Sequence, residues 1–126
     1  MTFQYLHTDN APKAVGPYSQ AVKAGNLVFV SGQMPVDPVT GEIITATAAS
    51  QAEQCMKNIM TILGEANMTA DNIVRATIYL KDMNDFSQVN EVYATFFKDK
   101  YPARVCVEVS RLPKDVGVEI DAIASS

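Results

Sequence analysis

The sequence is poor in the residues that metal sites and nucleophilic triads need. His7 is the only histidine in 126 residues, so a His-rich metal site or a Ser-His-Asp triad would have to be built around one side chain near a terminus. Cys55 and Cys106 are the only cysteines and form no Cys-x-x-Cys pair. No disulfide follows from their spacing, and both are read as reduced thiols. No apolar run approaches the roughly 20 residues of a membrane-spanning helix. The N-terminal stretch MTFQYLHTDNAPKAVG lacks a basic segment followed by an apolar one, so no secretory signal is expected and a cytoplasmic location is the default. Ten Lys and Arg stand against fourteen Asp and Glu, a net charge of −4, and the basic residues are scattered singly. That pattern argues against a phosphate-backbone footprint and so against a nucleic-acid partner.

No internal repeat, low-complexity tract or charge block divides the chain, so residues 1–126 read as one domain. A chain this long buries roughly two thirds of the surface its unfolded form exposes, and one substantial core is expected. In AVKAGNLVFVSGQ two apolar runs flank Gly25-Asn26, a dipeptide suited to a hairpin turn. The second run, Leu27 to Val30, is apolar at every position and predicts a strand buried on both faces. Pro35, Pro38 and Gly41 then mark a loop.

From about Thr47 to Ala66, residues Ala52, Cys55, Met56, Ile59, Met60, Leu63 and Ala66 recur at helical spacing. Asn67 suits the left-handed position that ends such a helix. Residues 73–81 alternate, with Val74, Ala76, Ile78 and Leu80 on one face and Arg75, Thr77, Tyr79 and Lys81 on the other. In NDFSQVNEVYATFFKDK, Asp85 and Gln88 form a candidate capping box. Phe86, Val89, Tyr93, Phe96 and Phe97 make a second helical stripe, with Lys98 and Lys100 at its C-terminal end. The order strand, hairpin, helix, strand, helix, strand, strand predicts an α+β fold with two helices on one face of a mixed sheet. Two helices cover one face only. The bare face must meet something, and a homo-oligomer is the simplest candidate.

The stretch YPARVCVEVSRLPKDVGVEIDAIA reads as two strands folded back across a turn near Pro113. Alternation puts Arg104, Cys106, Glu108 and Ser110 on one face of the first and Glu119 and Asp121 on one face of the second. Matching the polar faces sets Cys106 opposite Glu119 and Arg104 opposite Asp121. Two readings stay open at this point: a cross-strand surface ion pair, or a small site in which Arg104 holds a carboxylate and Glu119 orients water. GPYSQA is either a turn with a packed Tyr18 or part of a site. Ser31-Gly32 is either a strand end or a place where backbone approaches a ligand. Asn90 reads as a solvated helix residue, and Cys106 as packing on a mostly buried strand.

GPYSQA, VSGQMPVDPVTGE, DFSQVNEVYATFF and PARVCVEVSRLPKDVGVEIDAIA together resemble the reactive intermediate deaminase family (RidA, also called YjgF), in order over nearly the whole chain. The resemblance implies a chorismate-mutase-like α+β subunit in a homotrimer, with sheets facing a central barrel, helices outside and three clefts between subunits. It implies hydrolysis of 2-imino acids released by pyridoxal-phosphate enzymes to 2-oxo acids and ammonia, which protects such enzymes from damage. No metal or organic cofactor is expected. By motif, Arg104 matches the carboxylate anchor, Glu119 the acidic residue associated with the attacking water, and Cys106 a position whose backbone lines the cleft. Tyr18, Ser31, Gly32 and Asn90 match the pocket wall, Tyr18 from an adjoining subunit.

Three positions depart from the family pattern. Val105 replaces a small Ser on the face opposite Arg104, Asn67 replaces a Gly, and Gly117 stands at a position often basic or β-branched and is expected to loosen the last strand. A carboxylate beside Arg104 is expected to have a lowered pKa. Asp121 has no assigned role beyond neutralising Arg104 in an empty cleft. A binding or chaperone-like trimer without turnover is the alternative, with ribonuclease or translation-inhibitor activity behind it.

Overall fold

The expected hairpin at Gly25-Asn26 forms from the residues that favour it. In a computed structural model, which describes residues 2–126, strand β1 (Gln4–Leu6) is followed by β2 (Ala21–Ala24) and β3 (Leu27–Gln33). Gly25 takes a φ of +61°, the left-handed conformation that lets a two-residue turn match the twist of β2 and β3.

Helix α1 (Ala48–Gly64) starts where Thr47 and Ser50 satisfy each other's backbone: Ser50 N–H donates to Thr47 Oγ1 and Thr47 N–H to Ser50 Oγ, both at 3.0 Å. It ends where Asn67, at φ +57°, is left-handed. Met68 N–H reaches the Leu63 carbonyl and Asn67 N–H the Gly64 carbonyl, the paired bonds of a Schellman motif. Asn67 therefore serves as the left-handed residue that ends the helix.

Strand β4 (Ile73–Leu80), helix α2 (Phe86–Ala94), β5 (Ala103–Glu108) and β6 (Val118–Ser125) complete the order. The anticipated α+β architecture holds: one six-stranded mixed sheet ordered β1-β2-β3-β6-β4-β5, with both helices on one face. Only β4 and β5 run parallel, because α2 crosses between them. Met56, Ile59 and Leu63 of α1 and Val89 and Tyr93 of α2 pack over Val28, Ile78, Leu80, Val118 and Ile120.

Several expectations fail, each for a local reason. The C-terminal hairpin does not exist, since β6 inserts between β3 and β4 and leaves β5 at the edge. The nine residues 109–117 are enough to step over the end of β4, where Lys81 N–H meets the Gly117 carbonyl and Val109 N–H the Leu80 carbonyl. Cys106 thus pairs with Ile78 and Glu119 with Tyr79, not with each other. Strand β5 is mostly exposed rather than mostly buried.

Val74 faces solvent and Ile73 the core, because one extra residue in β4 bulges against β6 there. The Asp85 box is absent: Asp85 is itself helical and its carboxylate takes the Gln88 amide at 3.2 Å, while Asp82 caps the preceding 3-10 turn by accepting from Asn84 N–H at 2.9 Å. The helix stops at Ala94, short of Lys98 and Lys100. Gly117 is pinned rather than loose, its N–H donating to Gln51 Oε1 at 2.8 Å.

Within one chain β3 is buried on one face only. Phe29 is 43% exposed, and with Leu27 on β3 and Val105 and Val107 on β5 it leaves apolar side chains uncovered on the sheet face away from the helices, with Asp121 and Thr77 of the intervening strands between the two pairs. The bare face anticipated from counting helices is thus present.

Candidate active site

The bulge between β3 and β6 shapes the first half of the site. Val30 pairs with Ala122 and Gln33 with Ile120, so Ser31 and Gly32 together oppose Asp121. The extra residue turns Gln33 into the core and brings the Gly32 backbone against the Glu119 side chain. A Cβ on Gly32 would lie 3.1 Å from Glu119 Cδ and overlap its carboxylate oxygen. Glycine is there because the carboxylate occupies the space.

Glu119 and Tyr18 line a cavity of about 740 Å3 with Gln20, Gly32, Gln33 and Lys114. Its walls are fixed from beneath: the buried Gln20 amide donates to the Thr8 and Pro12 carbonyls, and Asn58 of α1 donates to the Met34 and Val36 carbonyls at the start of the proline loop. Tyr18 is half exposed, its hydroxyl accepting from Val15 N–H at 3.3 Å. Ser31 Oγ donates to the Ser19 carbonyl at 2.6 Å, which commits its hydrogen and leaves only lone pairs to offer.

Partial burial raises the pKa of Glu119, and the charge of Asp121 raises it further. The expected lowering does not occur within the chain, because Arg104 is on the other face of the sheet. Asp121 instead accepts from the Tyr79 hydroxyl at 3.1 Å, and Tyr79 is raised in turn by burial and by Asp121. It does not neutralise Arg104.

The second half is built by α2 and the edge strand. Arg104 pairs in register with Ala76, whose side chain faces the helices, so Arg104 extends toward α2. There its Nη1 donates to Asn90 Oδ1 at 2.6 Å, and its guanidinium carbon lies 5.6 Å from the Phe86 ring centre and 5.1 Å from that of Tyr93. Asn90, Tyr93, Ala94, Tyr101, Pro102 and Arg104 line a cavity of about 460 Å3. Cys106, half-buried on the same face, has its thiol pKa raised by burial against the opposing pull of Arg104. It is a thiol, not a thiolate. Cys55 is buried, its pKa raised by desolvation, and both cysteines are free.

The candidates therefore fall into two groups. Tyr18, Gly32 and Glu119 share one cavity, Asn90 and Arg104 the other, while Ser31 and Cys106 adjoin these groups without lining either cavity. Phe86 and Tyr93 escaped notice beside Arg104 because they read as core stripe. Their spacing with Asn90, at i, i+4 and i+7, was the available signal. Among the described residues, no cluster of His, Cys, Asp and Glu could hold a metal ion, and no helix is long and apolar enough to cross a membrane.

The endoribonuclease L-PSP family matches residues 8–126. The chain belongs to this family. It is 54% identical over 121 residues to a RutC family protein of Pyrococcus horikoshii, covering 96% of each chain. Among solved structures, E. coli TdcF with bound serine is similar at a TM-score of 0.93 and 45% identity, over 98% of each chain. RidA from the Antarctic bacterium Psychrobacter sp. is similar at a TM-score of 0.94 and 43% identity, over 98% of this chain and 99% of that one. The family resemblance read from the motifs is borne out, and with it the subunit fold.

Proposed function

We propose that the protein hydrolyses small 2-imino acids to 2-oxo acids and ammonia, at a cleft that forms when neighbouring copies bring the Arg104 group of one against the Glu119 group of the next. The observation that carries this reading is the state of the two key side chains. Arg104 meets only a neutral amide and two aromatic rings, with none of the ion pairs among the described residues involving it. Glu119 is a carboxylate with a raised pKa at the wall of a large cavity. One is an unneutralised fork for a carboxylate, the other a base stronger than an ordinary carboxylate. Each half is incomplete without the other. The serine bound to TdcF, a small molecule with an α-carboxylate and an adjacent nitrogen, is of the matching chemical class.

On this reading the guanidinium fixes the substrate carboxylate and sets the C=N carbon beside a water held by Glu119. Water adds to the protonated imine, its oxygen bonding to carbon as Glu119 takes a proton. Glu119 then protonates the nitrogen of the carbinolamine. The C–N bond breaks, the hydroxyl proton returns to Glu119, and the carbonyl forms. One water is consumed and ammonium is released once the last proton leaves the carboxylate. A protonated imine is a strong electrophile, so a carboxylate base suffices.

Coupling an amino-acid dehydratase to this protein tests the proposal. The imine should disappear faster in its presence, and Arg104→Ala should lower kcat/KM about a hundredfold while leaving the fold intact, the loss expected when one partner of a desolvated charge pair is removed. No acceleration with any amino acid would favour a trimer that binds metabolites without turning them over.

A further inference from the structure

Phe86, Asn90 and Tyr93 stand at i, i+4 and i+7 of α2 and so form one stripe facing β5. Two turns of helix separate the rings by about 10 Å along the axis, and the Arg104 guanidinium is within cation–π range of both. Asn90, in the turn between them, takes one N–H at 2.6 Å. A guanidinium has five N–H donors in a rigid plane, and among the described residues Asn90 is the only acceptor. A carboxylate in place of this stripe would hold the side chain more tightly but cancel its charge. Two ring faces and an amide restrain it and leave the charge available.

The Tyr93 hydroxyl is buried and has no hydrogen-bond partner. Burial pushes its pKa up to about 12, while Arg104 pulls it down. A hydroxyl in that position stabilises nothing within the chain, so the contribution of Tyr93 to the stripe comes from its ring.

We propose that Phe86 and Tyr93 are positioning residues for Arg104, their rings holding the guanidinium plane ready for the carboxylate of a 2-oxo or 2-imino acid. The inference rests on Arg104 being the carboxylate anchor and extends it to the aromatic pair that aims it. Asn90 sets one end of the fork, and the rings set its tilt. Pre-ordering this long side chain in the free protein removes part of the entropy it would lose on binding.

Titration of the full-length protein with 2-oxobutanoate, followed by calorimetry, separates the two claims. Phe86→Leu and Tyr93→Leu should each weaken binding about five- to tenfold. Tyr93→Phe should bind within about twofold of the parent, since the ring is kept. In turnover, Phe86→Leu should raise KM with kcat little changed. The Arg104 Nε–H resonance of the free protein should carry a ring-current shift that Phe86→Leu removes, a signature available even if Tyr93→Leu does not fold. Loss of binding in Arg104→Ala with parent-like binding and an unmoved resonance in Phe86→Leu would overturn the clamp and leave the anchor standing. Parent-like binding in Arg104→Ala would overturn the anchor itself, and the clamp with it.

Discussion

Glu119 is the residue whose environment says most about what the site can do. Partial burial and the neighbouring Asp121 both disfavour its charged form. The folded chain therefore binds this proton more tightly than the unfolded chain. Its contribution to stability is fully present below the ordinary carboxylate pKa and is lost as pH rises through the higher folded value. Glu119→Gln should accordingly raise the melting temperature at pH 7 and change it little at pH 4, a contrast that thermal melts at the two pH values will read. The same shift governs catalysis, where Glu119 acts once deprotonated. Asp121→Asn should move the acid limb of kcat/KM to lower pH by removing one of the two causes that hold the pKa up. A limb unmoved by Asp121→Asn would mean that another group titrates in the rate.

The bulge at Ser31-Gly32 is the element that sets Glu119 in place. Gly32→Ala adds a methyl where the carboxylate now lies, and the carboxylate is the flexible end of its side chain, so it can move aside. The variant should fold as the parent does while losing roughly a hundredfold in kcat/KM, the scale on which a misplacement of about 1 Å acts. Full activity in Gly32→Ala would separate Glu119 from the chemistry. Neither this bulge nor the one at Val74 was legible in the sequence, because Ile73 and Val74 are both apolar and alternation does not say which is skipped. The helices were legible through their period, and so were the left-handed Asn67 and the Gly25 turn, whereas the capping at Thr47 was not. The neighbours of β5 and β6 were not. Alternation shows which side chains share a face of a strand but is silent on which strand lies beside it, and a turn near Pro113 suggested a hairpin where β4 in fact intervenes. Arg104 and Glu119 were named through motif, and the structure sets them on opposite faces of the sheet.

That separation has a consequence for the whole molecule. The helices cover one face of the sheet, and the other presents Leu27, Phe29, Val105 and Val107 to solvent in a single chain. Covering these side chains with further copies is the expected outcome, and a closed ring repeats one contact, the Arg104 side of each subunit against the Glu119 side of the next. Such a ring makes a prediction that no site within one chain can imitate. Arg104→Ala and Glu119→Gln should each be nearly inactive alone. When the two are unfolded together, mixed in equal amounts and refolded, a site is intact wherever a subunit with Arg104 precedes one with Glu119, which random assembly gives about one time in four. Activity should return to roughly a quarter of the parent level. A Phe29→Glu change on the bare face should yield monomers by analytical ultracentrifugation and prevent this recovery. Mixed variants that stay inactive while sedimenting as the parent assembly would refute a site shared between subunits.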